Sequence, residues 1–137
     1  MFSKTSEYAL KAMTCLAEHD GQIMSSHEIA REAAVPANYL TKILYELACA
    51  ELIVGRRRAS GGYRLKRPLG EIRLIEVLRA VSDLSRVSCP QVRPGRKACS
   101  LHSVLDDAAL AAISVLDRTT LQDVVERSGA PLCHSPA

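Results

Sequence analysis

Apolar residues recur every three or four positions through the first third of the chain, which is the period of an amphipathic helix. The first run predicts a helix over about residues 6–18, and Gly21 follows it as a stop signal. Ser25 and Glu28 have the spacing of a capping box, which predicts that a second helix begins there. Pro36 interrupts that helix, and "PANYLTKILYELACAEL" predicts a third. This order of helices is typical of a helix-turn-helix.

The pattern then changes to that of a β-hairpin. Residues 52–54 predict one strand, Gly61 and Gly62 a turn, and residues 63–65 the returning strand. Residues 56–67 hold 6 of the chain's 18 Lys and Arg residues. A basic hairpin after a helix-turn-helix is a winged helix, whose third helix enters the DNA major groove. A charged hairpin that only faces water is the alternative, and the position beside the helix-turn-helix favours DNA.

Two longer helical patterns follow the hairpin: "EIRLIEVLRAVSDL" and "CSLHSVLDDAALAAISVLDRT". In the second, five apolar residues are separated by four, three, four and three positions, which is the spacing of a coiled-coil seam. They are Leu101, Leu105, Ala108, Ala112 and Val115. Packing against its own domain is the alternative, but that domain already has four helices and a wing. We therefore expect self-association, and then a short helix around "LQDVVER" that Thr119 or Thr120 caps.

The predicted fold class is mainly α with a small β-hairpin wing: a winged helix-turn-helix plus a long C-terminal dimerisation helix. We expect residues 1–84 to form the DNA-binding domain and residues 85–98 a cysteine-bearing sensor loop. Residues 99–128 would hold the dimerisation helices, and residues 129–137 a flexible tail.

Composition and charge refine this picture. Aromatic residues make up only 4% of the chain and Trp is absent, so the core must be aliphatic. Residues 1–97 carry 16 Lys and Arg against 10 Asp and Glu, whereas residues 98–137 carry 2 against 5. The positive charge of the first part of the chain suggests that this part contacts a polyanion, whereas the last part is acidic.

Several classes of protein are excluded by missing patterns. No apolar run is long enough to span a bilayer, and the N-terminus lacks a signal-peptide pattern, so we expect no membrane association and a cytoplasmic location. The chain has no phosphate-binding loop, no Gly-x-Ser-x-Gly motif and no recognisable pair of catalytic carboxylates. We therefore expect that the protein is not an enzyme.

Cysteine chemistry centres on "SCPQVRPGRKACSLHS", which places Cys89 and Cys99 in a loop and His102 just after it. A permanent disulfide is opposed by reducing conditions in the cytoplasm. A zinc site needs four ligands, and these residues supply three at most. A two-iron cluster with non-cysteine ligands and a metal-free thiol switch both stay open. We expect Cys15 and Cys49 to lie in the core.

The assembled segments resemble the IscR/NsrR-type family of bacterial winged-helix transcription regulators, often called the Rrf-two family. The matching pieces are "SEYALKAMTCLA", "ANYLTKILYELACAELIV", "GGYRL", "EIRLIEVLRAV" and "CSLH", in the family's order and over nearly the whole chain, to about Val125. Each piece alone is weakly specific, whereas the ordered set is specific.

The resemblance implies a homodimer that binds a palindromic operator in double-stranded DNA. It implies that the third helix lies at the groove and that Arg57 lies on the wing. The candidate DNA-binding residues are Ser26, Asn38, Tyr39, Thr41, Lys42, Arg56, Arg57, Arg58 and Tyr63.

The resemblance also implies an iron–sulfur cluster, because many members hold one through three cysteines before the dimerisation helix. This chain offers only Cys89 and Cys99 there, so we expect a labile 2Fe–2S cluster rather than a 4Fe–4S cluster. Glu7 of the partner subunit and His102 are the candidate non-cysteine ligands. Arg58 and Ala59 also stand where members often have glycine, and Glu51 where a helix-ending glycine is common.

The sequence thus predicts a DNA-binding transcription regulator, with repression as the expected mode, that senses redox state, nitric oxide or iron–sulfur supply. The alternatives are a cluster-free regulator that responds to a thiol or a ligand, and a winged-helix module that binds other proteins.

Overall fold

Six α-helices and one β-hairpin make up the part of the chain that the computed structural model describes, which is residues 2–57, 61–82, 84 and 100–127. In chain order the elements are α1 (Lys4–Glu18), α2 (Ser26–Glu32), α3 (Ala37–Cys49), β1 (Ile53–Arg56), β2 (Gly62–Leu65), a 3-10 turn (Leu69–Glu71), α4 (Leu74–Val81), α5 (Ser100–Arg118) and α6 (Leu121–Arg127). The predicted order of helix-turn-helix, hairpin and long C-terminal helix is confirmed. The predicted sensor loop and tail lie outside the described residues.

Side-chain caps fix where two of the short helices begin. At α2, the Ser25 hydroxyl accepts the Glu28 N–H at 3.2 Å, and the Glu28 carboxylate accepts the Ser25 N–H at 2.8 Å. Thr120 and Asp123 make the same reciprocal pair at the start of α6, at 3.2 and 2.9 Å. Both predicted caps are confirmed, because each depends only on residues three positions apart.

The core is aliphatic and is formed mainly by α1, α3, α4 and the base of the hairpin. Each residue of the predicted buried stripe of α3 is at most 1% exposed. These residues are Leu40, Ile43, Leu44 and Leu47. Since burying one such side chain contributes about 1.5–3 kcal/mol, the stripe holds α3 against α1 and leaves its opposite face free.

Two non-glycine residues have the left-handed backbone that glycine favours. Ala34 has φ +54° in the turn between α2 and α3, and Glu51 has φ +60° just after α3. Such a conformation costs about 1–2 kcal/mol for a residue with a Cβ. Glu51 is the position where a helix-ending glycine is common, and its carboxylate pairs with Lys66 Nζ at 3.1 Å.

The hairpin begins its second strand earlier than the sequence predicts. Gly62 belongs to β2 and pairs with Arg56, so the prediction that it lies in the turn is wrong. A Cβ at Gly62 would collide with the carbonyl of Met24, which precedes α2. Next to it, Met24 and Tyr63 exchange two backbone hydrogen bonds of 2.9 and 2.7 Å. The wing is therefore attached to the segment before α2, and this contact requires glycine.

α5 extends away from the core and keeps much of its apolar surface exposed. Only Ala109 is buried along it, whereas Leu101, Leu105 and Val115 of the predicted seam are 62%, 55% and 45% exposed. Asp117 near its end accepts a 2.7 Å hydrogen bond from Arg73, just before α4. In the described part of the chain, no helix is long and apolar enough to cross a membrane.

Candidate functional site

The exposed face of α3 carries a row of polar side chains. Asn38, Thr41, Lys42 and Tyr45 all lie on the side opposite the buried stripe, and Cys49 continues the row. Tyr45 is 70% exposed and was not among the predicted site residues, although its spacing from Asn38 and Lys42 is helical and could have indicated it.

Cys49 is exposed, so the prediction that it lies in the core is wrong. It occupies the last turn of α3, on the exposed row rather than on the buried stripe. A hydrogen bond to the Cys49 side chain raises the pKa of the Tyr45 phenol, and the charge of Cys49 adds to that effect. A tyrosine phenol is protonated at neutral pH without any such shift, so the Tyr45 hydroxyl can donate a hydrogen bond there.

Tyr39 lies at the flank of this face rather than at its centre. Its ring packs against the ring of Tyr8 on α1, with centroids 5.8 Å apart and planes tilted by 52°. Half of Tyr39 nevertheless remains exposed. Ser26 is exposed in the first turn of α2. Both residues stay predicted DNA contacts.

The basic residues of the wing fall into two groups. Arg56, Arg57 and Arg64 are exposed, and within the described residues they form no ion pair. Lys66 and Arg67 are instead held by Glu51 at 3.1 Å and Glu76 at 3.0 Å. The first group can therefore bind an anion from outside the protein, whereas the second group stabilises the base of the wing. Arg58 lies outside the described residues.

Tyr63 is half-buried on the core-facing side of the wing. Its ring covers Gly55 on the neighbouring strand, where an added Cβ would lie 3.2 Å from the ring carbon Cε1. The ring therefore packs within the wing, and the predicted DNA contact of Tyr63 stays a prediction.

The predicted cluster ligands are described only in part. Glu7 is exposed near the start of α1, and its carboxylate lies 3.8 Å from Lys4 Nζ. His102 is exposed in the first turn of α5. Cys89 and Cys99 lie outside the described residues. The two described ligands are both accessible to an incoming metal group.

One cluster of metal-ligating side chains was missed by the sequence interpretation. Cys15 on α1, His19 directly after α1 and Glu32 on α2 bring a thiol, an imidazole and a carboxylate together within 4.8 Å of one another. Burial, together with the smaller effects of the Glu32 and Glu18 charges, raises the pKa of the Cys15 thiol to about 12. The spacing of four residues between Cys15 and His19 was the available signal, but Glu32 joins them only in the folded chain.

A helix-turn-helix, a wing with free cations and a long exposed C-terminal helix define the winged-helix class of DNA-associated proteins. Residues 2–127 match the sequence model of the Rrf2 family, described as "Iron-dependent Transcriptional regulator". The chain therefore belongs to the Rrf2 family of transcriptional regulators, which confirms the family resemblance. The family model thus describes transcriptional regulators.

Solved structures of similar proteins support the same fold. IscR of T. potens is 24% identical, with a TM-score of 0.80 over 99% of this chain and 93% of that one. CymR, the global cysteine regulator of B. subtilis, is 26% identical with a TM-score of 0.79, covering 93% and 98%. The oxidized form of Staphylococcus aureus CymR is 28% identical with a TM-score of 0.75, covering 95% and 99%.

Proposed function

We propose that this protein is a homodimeric, sequence-specific DNA-binding regulator, with repression as its expected mode, that senses redox state, nitric oxide or iron–sulfur supply. One observation carries the DNA part of the proposal. Lys42 on α3 and the three free arginines of the wing are exposed cations without an ion pair in the described part of the chain.

Helix α3 and the wing would contact different parts of the DNA. Asn38 and Tyr45 offer hydrogen bonds to base edges when α3 enters the major groove, and an Asn amide can pair with adenine through two hydrogen bonds. The free arginines would neutralise phosphates and release counterions, which makes binding depend on salt. Lys66 and Arg67 contribute less, because each already has a carboxylate partner.

The exposed apolar surface of α5 supports the homodimer. Three large aliphatic side chains of α5 are each more than half exposed in the single chain: Leu101, Val104 and Leu105. An exposed group of such side chains usually marks a surface that another protein covers. A second copy of α5 would cover them and place two winged helices side by side. Such a dimer matches a palindromic operator, since protein and DNA then share a two-fold axis.

The donor set fits a 2Fe–2S cluster better than a 4Fe–4S cluster. Cys89 and Cys99 provide two thiolates, and exposed Glu7 of the partner subunit and His102 provide a carboxylate and an imidazole, which completes four ligands. When bound, such a cluster supplies one-electron redox chemistry and sensitivity to oxygen or nitric oxide. The description of the family as iron-dependent supports this proposal.

A metal-free thiol switch is the second candidate for the sensor. Arg93, Arg96 and Lys97 stand between Cys89 and Cys99 in the sequence, and nearby positive charge favours the reactive thiolate. The similarity to a CymR that was solved in an oxidized form also supports thiol chemistry. In this alternative a reversible Cys89–Cys99 disulfide replaces the cluster.

The DNA surface is tested by selecting a duplex from a random pool and measuring its affinity at several salt concentrations. Replacing Arg57 with Ala should cost about 1–3 kcal/mol and relax the sequence preference if Arg57 contacts a base edge. If it contacts only phosphate, affinity should fall for all sequences and the salt slope should shrink by about one.

Lys66→Ala is the matched control, because it removes one cation from the same wing but one that Glu51 already holds. Its affinity should stay within about 0.5 kcal/mol of wild type. Equal operator binding by wild type and by a Lys42/Arg57 double alanine variant would exclude this surface.

The sensor is tested by measuring iron and sulfide after anaerobic purification. We expect two irons and two sulfides per cluster in wild type, by the definition of a 2Fe–2S centre. Iron should be lost in Cys89→Ala and Cys99→Ala, and lowered in Glu7→Ala. A colourless, iron-free wild type would contradict the cluster and favour the thiol switch, whereas unchanged iron in Glu7→Ala would exclude Glu7 alone.

A further inference from the structure

A thiol, an imidazole and a carboxylate converge where the end of α1 packs against the end of α2. We propose that Cys15, His19 and Glu32 form a binding site for zinc or a similar borderline divalent cation, separate from the cysteine-bearing loop. These are the three ligand types that zinc sites in proteins use. All three residues lie outside α3, the wing and α5.

The distances are close to those that a tetrahedral ion requires. Glu32 Oε2 lies 3.2 Å from His19 Nε2 and 4.0 Å from Cys15 Sγ, and all three ligand atoms lie within 4.8 Å of one another. Bond lengths of about 2.0–2.3 Å to zinc place tetrahedral ligand atoms about 3.3–3.8 Å apart. A shift of about 1 Å at the ends of two partly exposed side chains therefore completes the geometry.

The histidine is already oriented as a metal ligand. Its Nδ1 lies 3.0 Å from the backbone carbonyl of Cys15, and a carbonyl oxygen only accepts, so Nδ1 must carry a proton. The neutral ring then has its lone pair on Nε2, which is the atom that faces Glu32. Metal-ligating histidines commonly donate their other N–H to a backbone carbonyl in this way.

The surroundings favour a cation at this place. Within the described residues, the Glu32 carboxylate lies beside the His19 imidazole and forms no ion pair with a lysine or arginine. Glu18 adds a second negative charge near the Cys15 sulfur. A divalent cation would offset both carboxylates and would take the place of the thiol proton, as metals do when they bind cysteine.

Access and a fourth ligand are also available. Cys15 is buried, but the side chains of His19 and Glu32 are 33% and 35% exposed, so an ion and a water ligand can enter from solvent. Three protein ligands and one water form an open zinc site. Because the ion would join α1 to α2, it would fix the first helix of the helix-turn-helix; an effect on DNA affinity rests on the proposed function.

The test uses a protein in which Cys49, Cys89, Cys99 and Cys133 are replaced with serine, so that Cys15 is the one remaining cysteine. Cobalt(II) is added anaerobically as a coloured substitute for zinc. We expect one equivalent per subunit, with the visible bands of tetrahedral cobalt and a thiolate-to-cobalt band in the near ultraviolet. Added zinc should displace the cobalt and remove both signals.

Three variants identify the ligands. Cys15→Ser should abolish the thiolate band, and His19→Gln and Glu32→Gln should each weaken binding at least about tenfold, the loss that even a supporting residue of a metal site causes. His27→Gln is the matched control, since it removes an exposed histidine of α2 outside the cluster, and it should bind normally. Circular dichroism establishes that each variant is folded. If Cys15→Ser unfolds, Glu32→Gln still tests the site, because it changes a partly exposed side chain.

Absence of stoichiometric cobalt and zinc binding by the folded single-cysteine protein would overturn the proposal and leave only a contact between the His19 and Glu32 side chains. Unchanged cobalt binding in Cys15→Ser would overturn it as well, and so would binding of copper(I) alone. DNA takes no part in these measurements, so their failure is distinct from a failure of the proposed function.

Discussion

Replacing Gly62 with alanine should destabilise the protein although it adds a single methyl group on the surface hairpin. The added Cβ would collide with the carbonyl oxygen of Met24 and would lie 2.9 Å from Cγ2 of Ile23. The first obstacle is backbone, which cannot turn away as the end of a side chain can. The wing must therefore move away from the segment before α2.

The expected cost follows from the contacts that this movement breaks. Met24 and Tyr63 exchange two backbone hydrogen bonds, at 2.9 and 2.7 Å, and each is worth about 0.5–1.5 kcal/mol net. Gly62 has no positive φ, so alanine adds no backbone strain of its own. Alanine also lowers the conformational entropy of the unfolded chain, which offsets about 0.4–1 kcal/mol of the lost stability. Once overpacking of about 1–3 kcal/mol is included, we expect a net loss of about 2–4 kcal/mol.

Urea denaturation at a fixed protein concentration measures this loss, with the concentration held because dimerisation also affects stability. Gly70→Ala is the matched control, since a Cβ there meets the amide oxygen of the exposed Gln122 side chain, which can move. We expect the control to lie within about 1 kcal/mol of wild type. Equal stability of Gly62→Ala and Gly70→Ala would refute the inferred contact between the wing and Met24.

Two further predictions concern the dimer and the response to acid. Ala108→Asp should raise the dimer dissociation constant at least about a hundredfold, or about 2.7 kcal/mol, because an unpaired charge would enter the seam. Ser114→Asp, on another exposed part of α5, is the control and should leave the dissociation constant unchanged. A wild-type protein that light scattering shows to be monomeric at micromolar concentration would contradict the seam. Burial alone would raise the pKa of Glu76, but the Arg73 N–H and the Arg67 guanidinium lower it below its ordinary value of 4.5. The stability that Glu76 contributes should therefore be complete above that value and be lost as pH falls through the lowered pKa. The difference in unfolding free energy between wild type and Glu76→Gln should shrink in acid, and a constant difference would refute this account.

Helix starts and buried stripes could be predicted from the sequence because they depend on near neighbours. The capping box of Ser25 and Glu28 joins residues three apart, and the stripe of α3 follows from helical period. The same period could have indicated Tyr45 on the exposed face. The prediction that Cys49 lies in the core was wrong although the same period places it four residues after Tyr45, on the exposed face.

Contacts between distant segments were decided only by the tertiary structure. The sequence could not show that Gly62 lies against Met24, since these positions are far apart in the chain and meet only when the wing packs beside α2. Nor could it separate Arg57, which is free in the described part of the chain, from Lys66, which Glu51 holds.

The candidate site shows the same division. The sequence alone predicted the helix-turn-helix and the hairpin to which we assign DNA binding, because both elements are local patterns. Packing of α1 against α2 decided that Glu32 joins Cys15 and His19, with the carboxylate 3.2 Å from the imidazole. Local patterns depend on interactions across a few residues, whereas this cluster joins residues 17 positions apart, whose meeting depends on how the core packs.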